Sequence, residues 1–130
     1  MAPKMTAAEA YLSSSVENAP PIKIVRLLYQ GAIRFLGQAA LEDCRDPRSK
    51  FIKLLSDADA IVAELRLSLD RSAGSPDEVE NLESLYLFCE GEIQQAMLDR
   101  SAEPLGGAKA VLETLLEAWS KVEVEAARAA

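Results

Sequence analysis

The sequence predicts an all-α fold: an antiparallel, up-down-up-down four-helix bundle preceded by a short helical segment. Three observations lead there. Apolar residues recur at spacings of three and four through four long segments. The breaks between those segments carry proline, glycine or capping residues. Alternating strand patterns between turn residues are nearly absent. A chain of 130 residues, 49% apolar and 27% charged, is the size of one domain. We divide it into an N-terminal segment or lid at 1–20, the bundle at 21–125 and a fraying Ala-rich tail at 126–130.

The N-terminal segment offers Thr6 and Glu9 as a capping box opening a turn or two through Tyr11 and Leu12, before Ser13-Ser14-Ser15 loosens the chain. So short a helix does not stand alone in water and is expected to dock on the bundle or move.

After Asn18-Ala19-Pro20-Pro21, the first bundle helix carries Ile22, Val25, Tyr29, Ala32, Leu36 and Ala39 as one stripe. Ile24, Leu27, Leu28, Gly31 and Phe35 form a second stripe beside it. Ten of the fifteen positions from Ile22 to Leu36 are apolar, against about three in seven for an ordinary bundle helix. The excess is expected either to be covered by the N-terminal segment and the other helices, or to form a groove for another chain's amphipathic helix.

Asp46-Pro47 marks the next turn, followed by a helix with Phe51, Leu54, Leu55, Ala58, Ile61, Val62, Leu65 and Leu69 on its stripe. It is expected to stop between Asp70 and Gly74, where glycine takes the left-handed conformation. Ser75-Pro76-Asp77-Glu78 then sets a hydroxyl cap, a proline at the first helical position and a Glu three residues after the cap. Val79, Leu82, Tyr86, Cys89, Ile93 and Ala96 follow in heptad spacing, with Leu85, Phe88 and Met97 alongside. Glu103-Pro104-Leu105-Gly106-Gly107 reads as the last break, before a helix presenting Val111, Leu112, Leu115, Ala118, Trp119 and Val122.

Composition removes whole classes of function. The absence of histidine eliminates imidazole metal sites and Ser-His or Cys-His nucleophile pairs. Cys44 and Cys89 fit no metal spacing and read as two small hydrophobes rather than a disulfide. Carboxylates at helical spacing, such as Glu113 with Glu117, fall on surfaces without a cleft, so no catalytic residue, metal or cofactor is expected. A net charge of −7 argues against nucleic acid as partner. No apolar run approaches a membrane span and no signal peptide opens the chain, so the expected location is the cytosol. Charge is uneven: residues 1–50 have seven basic and five acidic side chains, residues 51–130 seven and sixteen. From Asp77 to Glu103 eight acids meet one base, which reads as a solvated helix face or as a surface steering a basic partner. Tyr29 and Tyr86, on core stripes, are expected to place their rings inside and their hydroxyls at the surface.

An ordered series of motifs narrows the reading. Tyr11 is followed by Val16-Glu17-Asn18-Ala19-Pro20 and then by Leu27-Leu28-Tyr29-Gln30-Gly31-Ala32-Ile33-Arg34-Phe35-Leu36. Ile61-Val62-Ala63-Glu64-Leu65, Ser68-Leu69-Asp70, Asn81-Leu82-Glu83-Ser84-Leu85-Tyr86 and Glu117-Ala118-Trp119 complete it. From Tyr11 to Trp119 the chain resembles the bacterial flagellin-specific export chaperones, the FliS family.

That resemblance implies a cytosolic chaperone without nucleotide hydrolysis. It would bind the disordered C-terminal segment of flagellin, prevent premature polymerisation and accompany it to the membrane gate of the flagellar type III export apparatus. Other flagellar regulators are further implied partners, and direct membrane insertion is not. Tyr11 is implied as a lid residue that also contacts the client, and Ile24, Leu27, Leu28, Ile33, Leu82, Leu85 and Tyr86 are the groove candidates. The alternative from a different class is a non-enzymatic regulatory adaptor for another flagellar assembly or gene-expression factor.

Overall fold

A computed structural model describes residues 22–72 and 74–129, and these form four helices: α1 (Ile22–Leu41), α2 (Phe51–Leu67), α3 (Pro76–Asp99) and α4 (Leu105–Ala129). The N-terminal segment with Tyr11 lies outside the described residues. Each helix packs on two neighbours, α1 on α2 and α4, and α3 on α2 and α4, which makes a four-helix bundle with α1 and α3 on one diagonal. Cross-contacts show the antiparallel sense. Arg26 near the start of α1 meets Glu123 near the end of α4, while Arg66 near the end of α2 meets Glu90 midway along α3, and Arg71, just beyond α2, meets Glu83 nearer the start of α3.

The loop from α1 to α2 is held by two aspartates that accept from the backbone two residues on, Asp43 from Arg45 at 3.0 Å and Asp46 from Arg48 at 2.9 Å. In the turn before α3, Ser75 Oγ accepts from the Glu78 N–H at 3.2 Å, and the Glu78 carboxylate accepts from the Ser75 N–H at 2.9 Å. This reciprocal box satisfies two donors that a helix N-terminus leaves open.

Two boundaries differ from the sequence expectation. α2 ends at Leu67 with Ser68 as an ordinary right-handed cap, while Gly74, at φ 69°, lies in the turn leading into α3. The stop of α2 therefore owes nothing to glycine. α4 begins at Leu105 and takes Gly106-Gly107 into its first turns. The break is made instead by Arg100, left-handed at φ 48°, and by Pro104, while buried Leu105 anchors the new helix. The helix then continues through Ala129.

The predicted stripes of α3 and α4 are buried except for Val111, which is half-buried: Val79, Leu82, Tyr86, Cys89, Ile93 and Ala96 from α3 share the core with Leu112, Leu115, Ala118, Trp119 and Val122 from α4. Tyr29 and Tyr86 depart from expectation. Their hydroxyls are not at the surface but hydrogen-bond to each other in the interior. The rings stand 6.4 Å apart across the α1–α3 diagonal. A phenol hydroxyl taken out of water needs a polar partner, and each ring supplies one to the other.

Candidate functional site

The apolar excess of α1 is divided between two fates. Gly31 faces α2, where a Cβ would stand 3.4 Å from Ile61 Cδ1, and half-buried Leu28 and Phe35 pack against the core. Ile33 is likewise half-buried against the core. Ile24 and Leu27, 49% and 52% exposed, are left open on the outer side. One part of the second stripe thus completes the bundle and the other forms a surface.

A second apolar surface lies at the seam of α3 and α4. Leu85, Ala110, Val111, Thr114 and Leu115 line a cleft of about 240 Å³. Its position follows from side-chain size. Ala110 and Thr114 on α4 are small for lining positions, whereas beside Gly107 the half-exposed Phe88 ring fills the space, 3.5 Å from where a Gly107 Cβ would stand. The cleft is below the ~300–1,000 Å³ typical of small-molecule sites, so it suits a few inserted side chains.

Of the groove candidates, Leu85 lines this cleft. Leu82 and Tyr86, 1% and 3% exposed, point into the core and present no surface in this conformation. All three share one helix, but Leu82 and Tyr86 occupy the heptad positions facing the bundle axis. Ile24 and Leu27 lie on α1, diagonal to α3, so the structure does not gather the candidates into one patch. Spacing alone missed Ala110 and Thr114. Their signal was present as small residues four apart, one helical turn, but small residues carry little apolar signal.

The polar groups offer structure rather than chemistry. Among the described residues, no group of three or more Cys, Asp or Glu side chains is placed to hold a metal ion. Both cysteines are free thiols. Burial, with Glu90 and Glu92 nearby, pushes the Cys89 thiol up to about 12, so it stays protonated at neutral pH. Arg66 donates to both carboxylate oxygens of Glu90, at 2.6 and 3.1 Å, across the α2–α3 seam. Asp59 sits beside this pair. Burial and then Glu90 raise its carboxyl above the usual aspartate value, opposed by a hydrogen bond from Gln94 and by Arg66. Among the described residues, no helix is long and apolar enough to cross a membrane.

Comparison with known proteins gives the family. The family described as flagellar protein FliS matches residues 4–126. The chain belongs to the FliS family. The flagellar secretion chaperone FliS of Vibrio cholerae serotype O1 (strain ATCC 39315 / El Tor Inaba N16961) is 31% identical over 123 residues, covering 90% of this chain and 88% of that relative. Membership fixes the broad class, a flagellar secretion chaperone family built on a helical bundle, and chaperones of this kind are generally non-enzymatic.

Proposed function

We propose that this chain is a cytoplasmic export chaperone that holds the disordered C-terminal segment of flagellin, prevents its premature polymerisation and delivers it to the flagellar type III export apparatus. The observation that carries the reading is the open apolar surface of a FliS-family bundle, at the α3–α4 cleft and at Ile24 and Leu27. The two surfaces lie on different helices, Ile24 and Leu27 on α1 and the cleft between α3 and α4, and an extended client segment covers both by wrapping around the bundle. Disordered segments bind in this way, burying on the order of 1,000–3,000 Å² while spending several kcal/mol on ordering. The bond is specific yet releasable without nucleotide.

In this reading Ile24, Leu27 and Leu85 touch the client, Leu28 and Ile33 form the underside of the α1 surface, and Leu82 and Tyr86 support the cleft from within. Tyr11 serves as a lid residue and client contact. No catalytic step, cofactor or metal is involved.

Calorimetric titration with the last ~70 residues of flagellin from the same genome, long enough to contain a segment that orders on binding, tests the proposal. Saturable one-to-one binding with a negative heat-capacity change is expected. Absence of heat at several temperatures, with both components intact, would remove flagellin as the client. Ala110→Glu, which sets a charge in the cleft without touching the core, is expected to weaken binding at least tenfold and leave the melting temperature unchanged.

A further inference from the structure

The outer face of α3 has a composition that the bundle does not explain. Every exposed residue from Asn81 to Leu98 is uncharged, in a stretch whose sequence reads as acidic. The acids within it turn sideways: Glu90 pairs with Arg66 of α2 and Glu83 with Arg71 of the α2–α3 connection, and Glu92 is partly buried. The expected solvated acidic face is therefore not what α3 presents outward. Instead Leu87 and Leu98 stand out from it, Leu98 at 80% exposure.

Gly91 sits midway along this face. Glycine in a helix interior is destabilising relative to alanine, because it loses more backbone freedom on folding. Usually close packing or a positive φ accounts for such a residue. Here a Cβ would meet nothing within 4 Å, and Gly74 is the glycine with positive φ among those described. Nothing inside the bundle requires Gly91. What its missing side chain permits is close approach from outside, with Ser84 one heptad before it and Leu98 one heptad after.

The charge at the ends of the face decides what approaches. Exposed Asp77 and Glu80 flank one end, and exposed Asp99 and Glu103 flank the other, with Arg100 as the single base. A second copy crossing in either direction would set acids against acids: Glu80 on Glu80 in parallel, or Glu80 near Glu103 when antiparallel. Like charges juxtaposed at an interface are strongly disfavoured. We propose that the outer face of α3, centred on Gly91, docks an amphipathic helix whose seam is small and apolar and whose edges carry Lys or Arg. This surface is separate from the α3–α4 cleft and stands whether or not flagellin is the client.

The test uses the full chain and two synthetic helical peptides of about 20 residues, ~30 Å long and so able to span the face. Both have an Ala and Leu seam; one has Lys at its edges and the other Glu. The Lys-edged peptide is expected to bind saturably and to weaken as salt rises, while the Glu-edged peptide does not bind. Gly91→Leu is expected to weaken the Lys-edged peptide at least tenfold. Gly91→Ala is expected to weaken it less while raising the melting temperature, a combination that a packing role inside the bundle would not produce. Three results would overturn the proposal. One is no binding of the Lys-edged peptide, or binding indifferent to Gly91→Leu, which would be adhesion to acids in general. Another is self-association in sedimentation equilibrium that Gly91→Leu abolishes, making the occupant a second copy. The third is loss of flagellin-segment binding in Gly91→Leu, which would make the face part of the client site.

Discussion

The two seams on either side of α3 are built from different chemistry. On the α2 side, Arg66 spans Glu90 with two hydrogen bonds, Arg71 meets Glu83, and Asp59 lies beside Glu90 and Gln94. On the α4 side the seam is built from small residues: Gly107 lies beside the Phe88 ring, Ala110 lines the open cleft, and the Cys89 thiol donates to the carbonyl of buried Ala108 at 3.7 Å. Charge pairs add little net stability when partly exposed, but they penalise a shifted register, because each shift leaves a charge without its partner. Small apolar residues penalise shifts far less and leave room at the surface. The polar seam therefore fixes how α2 and α3 align, and the small-residue seam is the side that leaves a cleft open at the surface.

If both seams rest on one core, removing its largest member should loosen them together. Trp119 is 1% exposed on α4. Trp119→Ala is expected to cost ~3–5 kcal/mol, the range for deleting a buried large aromatic. Hydrogen exchange should speed up at the α2–α3 and the α3–α4 contacts alike. Faster exchange confined to α4 would mean that the seams are independent, and the comparison would have to be redrawn as two subunits of stability.

The next effect lies between the seams, at the Tyr29–Tyr86 hydroxyl pair. Tyr86→Phe and Tyr29→Phe are each expected to cost ~1–2 kcal/mol, because a buried hydroxyl loses a partner. The double variant should cost less than the sum, and strict additivity in denaturant melts would show that the hydroxyls do not depend on each other. This pair also marks how far the sequence could be read. The heptad positions of α3 were legible, because burial follows a period that residue type alone reveals, and the Ser75–Glu78 box was legible because capping is local. The destination of the Tyr hydroxyls was not. It depends on which helices occupy a diagonal, a property of the assembled bundle. The same limit applied to Leu82 and Tyr86 as groove candidates. Apolar spacing puts Leu82 and Leu85 on one helix but does not say that one faces the axis and the other the α4 seam. The cleft itself was hidden by small residues, which carry almost no hydrophobic signal.

A smaller effect belongs to the turn that feeds the small-residue seam. Arg100 closes α3 in the left-handed conformation, where a Cβ is strained. Arg100→Gly should raise stability by about 0.5–1 kcal/mol, the released strain less the greater chain entropy of glycine. A loss of stability in thermal melts would indicate that the Arg100 side chain, rather than its backbone, holds the turn into α4.

The smallest effect sharpens the polar seam, and its sign depends on pH. The Asp59 carboxyl is raised above its ordinary value, 3.8, first by burial and then by Glu90, so the folded chain binds this proton more tightly than the unfolded chain does. Well below 3.8 both states are protonated and the site costs nothing. As pH rises from there through the folded value, the unfolded state ionises first and stability falls, settling at a constant deficit in the neutral range. Asp59→Asn removes the charge and keeps a partner for Gln94. It is therefore expected to stabilise the bundle slightly at neutral pH, with the gain shrinking to nothing as pH falls below 3.8. The effect is modest because solvent reaches part of the residue and screens Glu90. A neutral-pH loss in Asp59→Asn would mean that the ionised carboxylate helps Glu90 hold Arg66, and that the polar seam needs both acids to fix its register.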